Sequence, residues 1–149
     1  MYQIIFSLLM LSISLTSYAQ INLPALSQAA EVSQKIGLTT VTLSYSRPNL
    51  RGREPFGEHG ILVPGEKWRT GANATSKIVF SKEVEIHGKM VPKGTYALLT
   101  TPQEMAWTFH LYPYETGSYT QFLEREPLIE VRVSTQQLPY SVESLSLHF

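Results

Sequence analysis

The chain has 149 residues, twelve basic and twelve acidic side chains, a formal charge of zero and no cysteine. These values leave room for one globular domain and exclude disulfides, thiolate metal sites, a cysteine nucleophile and a lipid-modified cysteine. The balanced charge gives no electrostatic case for a nucleic-acid partner or an anionic membrane, and because every acidic residue is a glutamate, Asp-based calcium loops and Asp dyads are excluded as well.

The apolar run Ile4 to Leu15 is too short to span a membrane and is followed by Ser17-Tyr18-Ala19, a small-x-small cleavage pattern. It predicts a secretory signal over residues 1–19, cleaved after Ala19, and hence a periplasmic or secreted product. The segment has no Lys or Arg before the apolar run, so the α-amino group of Met1 carries the positive charge there. Residues 20–28 read as a flexible lead-in and 29–149 as a single domain with no membrane anchor.

Strands dominate the rest. Val32 to Ile36 and the alternating Thr40 to Ser46 flank Gly37, which supplies a turn between two paired strands. From Ile78 the alternation resumes through Phe80, Val84 and Ile86 to a tight turn at His87-Gly88, where positive φ is accessible to both residues. Pro92-Lys93-Gly94 is a second turn, leading into Thr95 to Thr101. Next, Trp107, Phe109 and Leu111 alternate with Thr108, His110 and Tyr112, so His110 is expected on a polar strand face. Ile129, Val131 and Val133 form another strand, and Leu145, Leu147 and Phe149 read as a last one. The chain stops there without a turn residue, which suggests a C-terminally truncated domain. With helix confined to a turn or two near Glu58 to Gly60 or Gln121 to Arg125, the expected fold is all-β, an antiparallel β-sandwich or jelly-roll-like barrel with one long irregular loop.

That loop, Arg47 to Ser76, holds five of the nine glycines, three of the nine prolines and four arginines, and fits neither periodicity. Long irregular connections in compact domains carry function or disorder, and Ile61-Leu62-Val63 with Trp68 argue that this one is pinned to the core. Guanidinium forks match carboxylates, phosphates and sulfates, so Arg47, Arg51, Arg53 and Arg69, with Trp68 and Asn73, are candidate contacts for an anionic or carbohydrate ligand. The competing role is structural: the arginines would bridge loop carbonyls and Glu54, Glu58 or Glu66 while Trp68 plugs one end of the core.

Other chemistry is sparser. His59, His87, His110 and His148 show no ligand-pair spacing, so no metal is expected, and no cofactor motif is present. A Gly-x-Ser-x-Gly elbow is missing. Glu58 and His59 are the acid–base candidates should the domain be a hydrolase acting on glycans or envelope polymers. Tyr112, Tyr114, Tyr119 and Phe122 form an aromatic-rich stretch that suits sugar stacking, a protein partner or simple anchoring of the loop. Asn73-Ala74-Thr75 is a glycosylation sequon, and Asn73 reads as a residue that structures the loop.

Ser46-Arg47-Pro48, Arg51-Gly52-Arg53, Phe56-Gly57, Leu62-Val63-Pro64, Trp68-Arg69-Thr70-Gly71-Ala72-Asn73 and Pro92-Lys93-Gly94-Thr95-Tyr96 resemble, in order and spacing, the secreted bacterial family catalogued as domain of unknown function 2911. The resemblance runs from about Ala29 to the end of the chain. It implies a compact β-sandwich or jelly-roll-like domain, exported, with no assigned activity, substrate or catalytic residue. It also implies a further strand or hairpin beyond Phe149, and the Tyr112 to Phe122 loop departs from the family pattern. Taken together, the sequence leads us to expect a non-catalytic binding or structural module. A small anionic or carbohydrate ligand at the arginine-rich loop is the first expectation, and a protein partner at a sheet edge an alternative.

Overall fold

Alternation of apolar and polar side chains, repeated along the chain and interrupted by Gly and Pro turns, builds a sheet with two unequal faces. The computed structural model describes residues 23–149, and the expected signal segment with its cleavage site after Ala19 lies outside the described residues. Among the described residues eight strands form: β1 Gln28–Ile36, β2 Thr39–Arg47, β3 Ser76–Phe80, β4 Val84–Ile86, β5 Lys89–Val91, β6 Gly94–Pro102, β7 Ala106–Pro113 and β8 Ile129–Ser134. Six of them make one antiparallel sheet in the order β1-β2-β3-β6-β7-β8, while β4 and β5 form a separate two-stranded hairpin. The large sheet is open, with β1 and β8 at its edges, so the architecture is sandwich-like rather than a closed barrel.

Turn chemistry sets the register. Gly37 adopts φ +59 between β1 and β2, and Gln28 to Ile36 pairs residue by residue with Arg47 to Thr39. His87 and Gly88 adopt φ 48 and 77, the two positive values a two-residue hairpin turn demands, and they join β4 to β5. The first strand begins at Gln28, four residues before the expected Val32.

Both faces of the sheet are covered. On one, Val41, Leu43, Tyr45, Phe80, Tyr96, Leu98, Leu111 and Ile129 form the larger core, onto which the β4–β5 hairpin brings Val84, Ile86 and Val91. On the other, Ala97, Leu99 and Tyr112 pack against Phe122, which belongs to a single 3-10 turn, Tyr119–Phe122. The placing of His110 on a polar face is corrected: paired in register with Leu99, it is only 5% exposed.

The C-terminal run also differs from expectation. Leu145 and Leu147 pack against the larger core as their alternation requires, yet residues 145–149 form no strand. An antiparallel bridge of Asn49 with Ser144, where the Leu145 amide donates to the Pro48 carbonyl at 3.0 Å, starts the run, and side chains of β2 hold the rest. The Tyr45 hydroxyl accepts from the Leu147 amide at 2.9 Å, and Arg47 Nε donates to the Leu145 carbonyl at 2.8 Å. No helix forms at Glu58 to Gly60, where backbone turns suffice.

Candidate functional site

The Trp68 to Asn73 segment is held in place before it is held in shape. Trp68 exchanges two backbone hydrogen bonds with Thr100, at 2.7 and 2.9 Å, which extends the sheet beside β6 beyond the end of β3. Gly65 donates to the Pro102 carbonyl at 2.8 Å and fixes the approach to this rung. The indole packs edge-on against Trp107 at 6.4 Å, and Phe56 packs on the same Trp107 at 6.1 Å. Leu62, buried at 8% exposure, pins the other end of the loop. The long connection is therefore a fixed wall of the domain.

Past Trp68 the chain turns sharply. Thr70 is 1% exposed with φ 56, a backbone region a β-branched residue rarely enters, and Asn73 follows at φ 59. Such conformations cost on the order of 1–3 kcal/mol each and persist only where surrounding contacts fix them. Here the contacts are plain. Ser76 Oγ donates to the Thr70 carbonyl at 2.9 Å, the Ala72 amide donates to the Ser46 carbonyl at 3.1 Å, and Asn73 Nδ2 reaches Ser27 O and Ser46 Oγ, each at 3.3 Å. Asn73 thus does structure the loop. Gly71 is obligatory, because a Cβ there would stand 2.8 Å from the Ser46 carbonyl oxygen.

This turn and the incoming loop enclose a cleft of about 320 Å³. Its apolar wall comes from Pro48, Ile61, Leu62, Val63 and Pro102, its aromatic groups are Trp68 and Tyr119, and its polar groups are Ser27, Arg53, Glu66, Lys67, Arg69 and Asn73. Four of the six candidate ligand contacts therefore meet in one cleft: Arg53, Trp68, Arg69 and Asn73. Arg47 and Arg51 do not line it. Arg47 holds the C-terminal run, and Arg51 donates to the Leu26 carbonyl at 2.9 Å. Glu58 and His59 are exposed on the loop and take no part in the lining.

The cations of the cleft are oriented without being neutralised. Arg53 donates to the carbonyls of Leu50 and Asn49 at 3.0 and 2.7 Å, Lys67 to that of Leu123 at 2.8 Å, and Arg69 to that of Asn73 at 2.9 Å. The Arg69 guanidinium also stacks on Tyr119, 4.7 Å from the ring centroid, and Lys67 lies 5.8 Å from that of Tyr112. Among the described residues, close ion pairs join His110 to Glu130 and Arg125 to Glu115, and neither involves a cleft cation. The arginines bridge loop carbonyls as the structural alternative requires, but not Glu54, Glu58 or Glu66. A carbonyl fixes a guanidinium and leaves its net charge in place, so the lining carries three cations against the one carboxylate of Glu66.

Outside the six candidate contacts, the lining adds Ser27 and Lys67, which sequence reading missed, and Glu66 and Tyr119, which it named only as a counter-charge for the arginines and as one of the stacking aromatics. Lys67 was reachable from its place beside Trp68, and Tyr119 from the aromatic stretch. Of that stretch, Tyr112 and Phe122 are buried anchors, at 1% and 0% exposure, whereas Tyr119 reaches the cleft.

A second polar group lies on neighbouring strands. His110 Nε2 is 2.9 Å from Thr101 Oγ1, and its Nδ1 is 3.2 Å from Glu130 Oε2. Burial holds the His110 pKa below that of a free histidine, with Lys67 acting in the same direction and Glu130 against it. Among the described residues no three His or Glu side chains converge as metal ligands.

Residues 27–149 match the model of a family described as "Protein of unknown function (DUF2911)". Comparison with curated proteins gave no match, and neither did comparison with solved structures.

Proposed function

The chain belongs to the DUF2911 family, whose description assigns no activity, and from its cleft we propose a non-catalytic binding module that takes a small anionic ligand. One observation carries the reading: Arg53, Lys67 and Arg69 line a single cleft, each held by a carbonyl oxygen and none paired with a carboxylate among the described residues. An arginine fixed on one side by a carbonyl and beneath by an aromatic ring has spent its rotamer freedom in folding, so binding an anion costs less ordering entropy. The strained backbone at Thr70 and Asn73, which brings Gly71 and Ala72 to the lining, supports the same assignment. Glu58 and His59 lie outside the lining, and among the described residues Glu66 is the one glutamate within it, with no second carboxylate to form an acid–base pair, which favours binding over Glu-dependent hydrolysis. We also take the protein to be exported, on the strength of the apolar run and the Ser17-Tyr18-Ala19 pattern.

Thermal unfolding against a panel of carboxylates, sulfate and phosphate esters, neutral sugars and divalent metals tests the reading. A ligand present at 100 times its Kd stabilises the folded state by about 2.7 kcal/mol. The expected result is stabilisation by anions alone, abolished in Arg69→Ala. Stabilisation by neither carboxylates nor esters, with Arg69→Ala merely lowering the midpoint, refutes it.

A further inference from the structure

The geometry points to an anionic sugar, a pyranose bearing a carboxylate or sulfate, as the ligand of this cleft, an inference that rests on the anion-binding reading above. A site for a bare anion needs donors only. This one also presents acceptors. The Glu66 carboxylate lines the cleft, and Asn73, whose Nδ2 is committed to Ser27 O and Ser46 Oγ, keeps its Oδ1 as an acceptor. A carboxylate within a few ångströms of a bound anion is repulsive unless the ligand brings hydroxyl donors to satisfy it. Hydroxyls do so, since each donates one hydrogen bond and accepts others.

The walls agree with that chemistry. Trp68 supplies an aromatic surface suited to the C–H face of a sugar ring, and it is fixed both by its rung with Thr100 and by Trp107. Arg69, stacked on Tyr119, and Arg53 provide planar forks for a carboxylate or sulfate. The cleft volume, about 320 Å³, falls at the lower end of small-ligand pockets, the scale of one or two rings rather than a long chain.

Isothermal titration of the purified protein with glucuronate and with glucose 6-sulfate, against glucose, acetate and inorganic sulfate, decides the matter. At least one sugar anion should bind about tenfold or more tightly than glucose and than its own bare anion. The stronger of the two names the anionic group. Glu66→Gln should weaken the sugar anion about fivefold while leaving acetate or sulfate unchanged or tighter, which a merely structural role for Glu66 would not produce. Equal binding of the sugar anion and the bare anion overturns the saccharide inference and leaves anion binding standing. Glucose binding as tightly as the sugar anions, or no binding by any anion, overturns both.

Discussion

The Arg69 guanidinium lies 4.7 Å from the centroid of the Tyr119 ring while its Nη1 donates to the Asn73 carbonyl, so one side chain ties the long loop to the 3-10 turn that packs on the smaller core. The stacked cation is oriented by two elements that are separated in sequence. Tyr119→Leu removes the ring face and should free the guanidinium, weakening anion binding several-fold with a stability loss of about 0.5–1 kcal/mol. Tyr119→Phe keeps the face and should retain both properties. Titration and urea unfolding of the pair check this, and equal affinity in the Leu and Phe variants would refute the orienting role.

Gly71 meets β2 at closer range than any side chain permits. An added methyl would stand 2.8 Å from Ser46 O and 3.0 Å from Ser76 Oγ, and the first of these is backbone. Gly71→Ala should therefore cost about 1–3 kcal/mol, because the Thr70 to Asn73 turn has to move away from the strand. The loss should appear as a lower urea midpoint at unchanged slope. Gly52→Ala is the contrasting control: its added methyl meets nothing within 4 Å, so any cost comes from its φ of +75 alone.

Acid should destabilise the fold through His110. Its pKa is lowered chiefly by burial, so between that depressed value and the ordinary value of about 6.5 the unfolded chain binds a proton that the folded chain does not. Stability therefore rises with pH across this window. The contribution is fully present above the ordinary value and is lost as pH falls towards the folded one. His110→Gln keeps polar contact with Thr101 without titrating and should flatten stability between about pH 7 and 5. An unchanged slope in the variant would show that other groups set the acid response.

How much of this was legible in the sequence depends on distance along the chain. The turns at Gly37 and His87-Gly88 are local events: the residues that need positive φ stand at the turn itself, and the strands beside them announce their period. Arg53, Trp68, Arg69 and Asn73 were readable as a cluster because they share one irregular segment. Ser27 was not, and Tyr119 was readable only as one of four aromatics, since each reaches the cleft through a register or a turn that only the assembled sheet fixes. His110 shows the same limit. Its alternation marks a polar face, and nothing nearby in sequence reveals that the folded domain buries it. Arg47, counted with the ligand contacts by composition, serves a segment about a hundred residues away.

The C-terminal run shows that period alone does not make a strand. Leu145 and Leu147 reach the core, but beyond the Leu145 amide, which donates to the Pro48 carbonyl at 3.0 Å, the groups that hold the backbone of the run are side chains, the Tyr45 hydroxyl and the Arg47 guanidinium. Arg47 contributes a charge-assisted bond to the Leu145 carbonyl and a second bond, at 2.9 Å, to Ser146 Oγ. The Tyr45 hydroxyl contributes a bond from the Leu147 amide at 2.9 Å. Tyr45→Phe should cost about 0.5–1.5 kcal/mol and Arg47→Met about 1.5–3 kcal/mol. Because both act on one segment, the double variant should cost less than the sum of the singles once either loss detaches it. Urea unfolding gives the stabilities, and amide hydrogen exchange at Leu147 reports the detachment directly. Additive costs with unchanged exchange would mean that the half-buried leucines and the Leu145 to Pro48 backbone bond hold the run without these two side chains.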